Sequence, residues 1–182
     1  DDGGETWKLG GIVPQGNTYM LNEPKVVELE NGDLLMNMRS LGSKSEKRII
    51  SRSTDGGLTW SYPAIDFSIP EHTSCNAGFV RLSKRPEHNK SRILYCWPDD
   101  LNERKNLTAS ISYDECVSWK YSRVITKEAS TYSELAILPD NTVLCLYGKG
   151  ILTLPSGYHA ISSVVCSRFN IEWLTEDQDS IT

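Results

Sequence analysis

The residues in this sequence that first invite a chemical reading are carboxylates that recur with a fixed partner. Asp2, Asp55 and Asp114 each stand five residues before a tryptophan, namely Trp7, Trp60 and Trp119. Gly4 and Gly57 lie two residues after the first two aspartates, and Cys116 takes that place in the third copy. This spacing describes a turn joining two strands. The aspartate can accept N–H groups of its own turn, and the glycine reaches a backbone angle that other residues adopt only with strain. The tryptophan then packs its ring between strands. Ser53 and Ser112 precede their aspartates by two residues and are expected to help close the turn. The aspartates are therefore read as structural and not catalytic.

Other chemistry finds little support in the spacing. His72, His88 and His159 stand in loop-like stretches without partner spacing. The five cysteines, at 75, 96, 116, 145 and 166, form an odd set without close pairs. That fits neither a zinc site nor a compact disulfide framework, so no metal and no cofactor is expected. A net charge of −5 over 182 residues argues against general nucleic-acid binding. No apolar run is long enough to span a bilayer, so no transmembrane segment is expected. The sequons Asn89-Lys90-Ser91 and Asn106-Leu107-Thr108 tilt the expected location from the cytoplasm towards a secreted, lysosomal or membrane-associated one.

The elements that must position these residues are short strands separated by turns, which makes the chain all-β. Val26–Leu29, the turn Asn31-Gly32 and Leu34–Met38 spell a hairpin. Further strand runs are Arg48–Ser53, Ala77–Leu82, Ile93–Trp97, Leu107–Ser112, Leu135–Leu138, Val143–Tyr147 and Ser162–Phe169. A short turn is read at Asn170–Leu174, and the polar tail from Thr175 is expected to fray. The tryptophans recur at roughly fifty to sixty residues, a period of blades that stack because none buries its own apolar face. The expected architecture is antiparallel β-propeller blades, about three of them. The turn motif resembles the Asp-box (S-x-D-x-G-x-x-W) of such propellers, which lies away from their active face. Its first copy starts at the chain's first residues without its Ser and strand, so the chain is expected to begin inside a blade.

Several blocks between the Asp-boxes resemble the exo-sialidases, or neuraminidases, with BNR (Asp-box) repeats. Asn22-Glu23-Pro24-Lys25-Val26-Val27-Glu28-Leu29 followed by Leu35–Arg39 is similar to that family's NEP-x-VVEL block. Arg104–Thr108, Thr131-Tyr132-Ser133-Glu134-Leu135 and Ala160–Trp173 resemble later blocks in the same order. The resemblance implies that residues 1–182 are the C-terminal half of a six-bladed sialidase catalytic domain whose N-terminal half is absent. It implies Tyr132 as nucleophile, Glu23 as the carboxylate that takes its proton, and Arg39 and Arg104 as two of three arginines gripping the sialic acid carboxylate. The third arginine and the aspartic acid/base would belong to the absent half. Two departures stand out. Cys116 replaces an Asp-box glycine, and Gly148 stands where the family often carries a Glu that orients the missing arginine.

These residue types suit the implied reaction. The substrate carries a carboxylate on its anomeric carbon, which would repel an Asp or Glu nucleophile. A neutral tyrosine hydroxyl avoids that repulsion, provided a base takes its proton as attack proceeds, and sialidases are the tyrosine exception among retaining glycosidases. A guanidinium offers a carboxylate two parallel N–H bonds. Taken alone, Tyr132 would read as a half-buried strand residue, Glu23 as a surface carboxylate, Arg39 as half of a surface ion pair and Arg104 as part of a solvated charge run. Arg48, Arg52 and Arg123 are read as structural or solvent-facing, and Glu134 as orienting its neighbours. The implied partners are sialylated glycans (glycoproteins, gangliosides, oligosaccharides) and the missing half of the propeller. The rival expectations are an inactive, lectin-like sialic-acid binder and a purely structural Asp-box propeller.

Overall fold

The computed structural model describes residues 2–14, 19–41, 45–70, 72–73, 75–157 and 159–181. Its strands are β1 (Met20–Glu28), β2 (Leu34–Leu41), β3 (Ser45–Glu46), β4 (Ile49–Ser53), β5 (Ala64–Ile65), β6 (His72–Thr73) and β7 (Gly78–Ser83). There follow β8 (Arg92–Pro98), β9 (Lys105–Ser112), β10 (Tyr121–Ile137), β11 (Val143–Lys149), β12 (Leu152–Thr153), β13 (His159–Ala160) and β14 (Ser163–Phe169), then helix α1 (Ile171–Thr175). His72 and His159 thus fall in two-residue strands, not in loops.

Local sequence accounts for the hairpins. Between β1 and β2, Gly32 takes a φ of 87° and donates to the Leu29 carbonyl, while the Asn31 side chain accepts from Asp33 N–H. Between β10 and β11, Asn141 takes a φ of 64° and Asp140 accepts from Thr142 N–H. Asx side chains and left-handed residues are what such turns require.

The first blade has the order β1-β2-β4-β5. The next two are fused into one six-stranded sheet, β14-β11-β10-β9-β8-β7, because β10 serves both. Its first part, Tyr121 to Ala129, pairs with β9, and its second, Ser130 to Ile137, pairs with β11. β10 is therefore the last strand of the second blade and the first of the third. The sequence reading recognised only its final residues, since Tyr121 to Thr131 is polar and edge-like. Backbone pairing with β9 makes that stretch a strand.

The middle blade is buried on both faces, and every residue of β8 is buried. Side chains alternate across a strand. Ile93, Tyr95 and Trp97 pack with Val27, Leu29 and Leu35 of the first blade. Leu94 and Cys96 pack with Leu135, Val143, Cys145 and Tyr147 of the third blade and with Ile171 and Leu174 of α1. Each large apolar side chain so buried contributes roughly 1.5–3 kcal/mol.

The tail departs from the expected fraying. Thr175 and Asp179 are buried. Arg92 grips the Asp179 carboxylate through Nε at 2.6 Å and Nη2 at 2.9 Å, and Tyr113 Oη donates to it at 2.8 Å. Arg92 is itself fully buried, and the tail supplies its counter-charge. Burial alone would raise the Asp179 carboxyl, but the bonds from Arg92, Lys90 and Tyr113 outweigh it and hold it well below its ordinary value.

The Asp-boxes share one geometry. Asp55 Oδ1 accepts from Leu58 and Thr59 N–H, and Oδ2 from the Thr59 hydroxyl at 2.6 Å. Asp114 repeats this with Ser118, and Asp2 with Thr6. Ser53 and Ser112 bond their aspartates and accept from Gly57 and Cys116 N–H. Cys116 takes the glycine's left-handed backbone, with a φ of 69°, and buries its thiol in the core between the first two blades. Trp119 packs against Tyr95 and donates to Ser68 Oγ at 3.1 Å. Trp7 corrects the expectation of a packed ring. It donates to the Gly4 carbonyl but is 88% exposed, because no strand among the described residues lies against this first turn.

Candidate functional site

Strand register puts the second and third Asp-boxes at one end of the blades and the four implied site residues at the other. β4 leads into the second Asp-box from Ser53, which pairs with Leu34, which pairs with Glu28 at the end of β1. Glu23 lies near the start of β1, opposite that end. In the second blade, Ser112 at the Asp-box pairs with Ile93, whereas Arg104 lies just ahead of β9, whose start pairs with Pro98. Tyr132 follows the point where β10 changes partner.

Glu23 and Tyr132 share an unusual backbone. The β1–β2 register shifts between Asn22 and Lys25, and the β10–β11 register shifts between Thr131 and Ser133. At the centre of each bulge the residue is left-handed, with φ of 44° for Glu23 and 41° for Tyr132. Such conformations in non-glycine residues cost about 1–3 kcal/mol and persist only where the surroundings over-determine them. Their effect is to re-aim both side chains. Ser133 is buried, with its hydroxyl donating to the Cys96 carbonyl, while Tyr132 is left 46% exposed.

The structure brings all four residues together. Arg39 Nη1 donates to both Glu23 carboxylate oxygens at 3.0 Å and to Tyr132 Oη at 3.4 Å. Arg39 ends the buried run of β2, and register sets it opposite Asn22 beside the Glu23 bulge. Burial would lower its pKa, but bonding to Glu23 and Tyr132 outweighs this and raises it. On the other side, the Arg104 guanidinium lies 5.4 Å from the Tyr132 ring centre and donates from Nη1 to Thr131 Oγ1 at 3.1 Å. Tyr132 is thus flanked by two guanidinium groups. A cleft of about 730 Å³ opens beside it, lined by Arg104, Thr131, Gly148, Ile151 and Ile161 among others. A fixed pair of cations beside an exposed phenol can hold a carboxylate against it.

Sequence reasoning missed the residues behind Tyr132. Cys75, fully buried, accepts the Tyr132 N–H on Sγ at 3.2 Å and lies 3.5 Å from Thr131 Oγ1. Arg48, also buried, donates to the Cys75 carbonyl and to Asn37 Oδ1. No local pattern marks Cys75, since the partners of its thiol lie more than fifty residues away. Glu134 pairs with Lys25. Arg123 is not solvent-facing: its guanidinium stacks on Trp173 at 4.6 Å and bonds the Trp173 carbonyl. At Gly148, an added Cβ would lie 2.7 Å from Ile161 Cγ2 and 3.0 Å from Thr131 Cγ2, so a side chain there would require Ile161 to shift. No cluster of three or more metal-ligating side chains occurs among the described residues.

The family model for the BNR repeat-like domain matches residues 1–145. A sialidase of Micromonospora viridifaciens is 30% identical over 177 residues, covering 96% of this chain and 25% of that protein. The chain therefore spans about a quarter of that curated relative. The intramolecular trans-sialidase of Ruminococcus gnavus, solved with oseltamivir carboxylate, superposes with a TM-score of 0.74 at 26% identity over 96% of this chain and 37% of that one. The NanB sialidase of Streptococcus pneumoniae superposes at 0.76 with 23% identity, over 96% of this chain and 27% of its own, a likeness of fold. The blades are those of a sialidase-type β-propeller.

Proposed function

Because the chain belongs to the BNR repeat-like domain family, and its relatives are sialidases, we propose that it forms the C-terminal half of a sialidase catalytic propeller. In this reading the parent protein removes terminal sialic acid from glycoproteins, gangliosides or oligosaccharides with retention of configuration. The observation that carries it is Arg39, whose Nη1 bonds both the Glu23 carboxylate and the Tyr132 hydroxyl.

Arg39 and Arg104 grip the substrate carboxylate and hold the anomeric carbon over the cleft beside Tyr132. Tyr132 Oη forms a bond to that carbon as the glycosidic C–O bond breaks, and its proton passes to Glu23. The leaving oxygen takes a proton from an acid carried by the other half of the propeller. Water then attacks the tyrosyl intermediate and gives up a proton to that same group, now a base, while the carbon–tyrosine bond breaks and Glu23 returns its proton to Tyr132 Oη. The exposed Tyr132 and the strained bulges at both reacting residues support these roles.

Gly148 supports a second reading. With a glycine and no carboxylate at that position, the site would bind sialic acid without turning it over. The test is release of a fluorescent aglycone from a sialoside, by this chain and by the full-length protein, beside Tyr132→Phe. Release that drops at least a hundredfold in the variant, while a sialic acid analogue still raises the melting temperature, is the expected result. Binding without release by the full-length protein would make it a lectin. Release unchanged in Tyr132→Phe would remove the nucleophile assignment.

A further inference from the structure

Glu23 and Tyr132 must keep a constant separation, yet the strands that carry them do not pair. β1 belongs to the first sheet and β10 to the second, and β7 packs against both. Each residue also stands where its own ladder is interrupted, so backbone hydrogen bonds constrain it least. Lys25 is the first residue to resume pairing after the Glu23 bulge. Glu134 lies two residues beyond Tyr132, where pairing with β11 has resumed. The Lys25 ammonium donates to Glu134 Oε2, closing a contact between residues 109 apart in sequence.

We propose that Lys25 and Glu134 are positioning residues, which tie the two bulges together and so set the distance between the Glu23 carboxylate and the Tyr132 hydroxyl. The proposal rests on the roles given to those two residues above. The pair is a poor device for holding the fold. Its side chains are 25% and 50% exposed, and exposed ion pairs contribute only about 0–1 kcal/mol. Its location gives it leverage instead. A displacement of about 1 Å between reacting groups can cost on the order of a hundredfold in rate. Lys25 and Glu134 join the two strands next to the bulges, which Arg39 also bridges.

The test uses the full-length protein carrying 3-fluorotyrosine at position 132, with Lys25→Met, Glu134→Gln and the exchanged pair Lys25→Glu/Glu134→Lys. Melting temperature, steady-state kinetics on a sialoside and the fluorine resonance are read for each. Either single substitution should lower kcat about tenfold with KM near its original value, shift or broaden the fluorine resonance, and leave melting nearly unchanged. The exchange should restore both kcat and the resonance. An unmoved resonance with unchanged kcat would overturn the proposal, and so would singles that fall without recovery in the exchange. If the unsubstituted protein does not turn over the sialoside, the functional reading fails, and the fluorine resonance alone decides whether the pair positions Tyr132.

Discussion

The two ends of the blades are built on opposite principles. At the Asp-box end each turn satisfies itself: Asp55 and Asp114 find their partners within four residues, and the two turns superimpose in their bonding. At the other end the candidate site residues find their partners far along the chain. Arg39 reaches 16 residues to Glu23 and 93 to Tyr132, and Cys75 holds a backbone N–H 57 residues away. The first end is repeated and unstrained apart from its designed left-handed positions. The second is unique and concentrates strain at Glu23 and Tyr132. Repetition suits an element that closes a blade, whereas the four candidate residues are gathered from more than one blade.

The contrast can be broken most sharply at Arg39. Replacing it with Ala removes the bridge between Glu23 and Tyr132 and should lower sialoside turnover at least a hundredfold. Arg39→Lys should recover little, since an ammonium lacks the planar fork. Steady-state kinetics of the full-length protein check both.

The largest effect on stability should come from the tail. Asp179→Asn leaves Arg92 buried without its counter-charge and should destabilise by about 3–5 kcal/mol, read by denaturant unfolding. Because the folded Asp179 carboxyl is held below its unfolded value, its contribution is present above about pH 4 and is lost as pH falls through that range. The variant should accordingly show a flatter stability profile at acid pH.

A smaller effect should follow at the Asp-boxes. Asp114→Ala should lower the melting temperature by a few degrees and leave kcat unchanged, which would separate the two ends directly. The Asp55 carboxyl is lowered to about 2, chiefly by the Thr59 hydroxyl and N–H, so this turn also weakens as pH drops from about 4. The smallest effect is expected at Trp7. Its ring is almost wholly exposed, and Trp7→Ala in this chain should leave melting within about a degree, by calorimetry.

Legibility in the sequence follows the same division. The Asp-boxes, the Asn31-Gly32 turn and the apolar strands were readable because their causes are local: a carboxylate near its own N–H groups, a glycine at positive φ, alternation along a strand. The stretch Tyr121 to Thr131 was not, because its strand character comes from β9 and not from its own side chains. Nor was the ordered tail, since Asp179 looks like a solvated residue until Arg92 is found buried beneath it. The four implied site residues were named by resemblance to a family. Their convergence, the bulges that aim them, and the supporting Cys75 and Lys25 have no signature within reach of a sequence window.

By itself, then, the sequence determined an all-β chain of repeating blades with self-contained turns and a surface carrying excess negative charge. These depend on propensity, turn chemistry and composition, which act over a few residues. Only the tertiary structure decided which blades share β10, which face of β8 meets which blade, and that Glu23, Arg39 and Arg104 gather around Tyr132 at one end, with a cleft opening beside Tyr132 and Arg104. The physical reason is distance along the chain. Contacts between residues tens of positions apart depend on register and blade stacking, and a one-residue change in either would send every one of those side chains elsewhere.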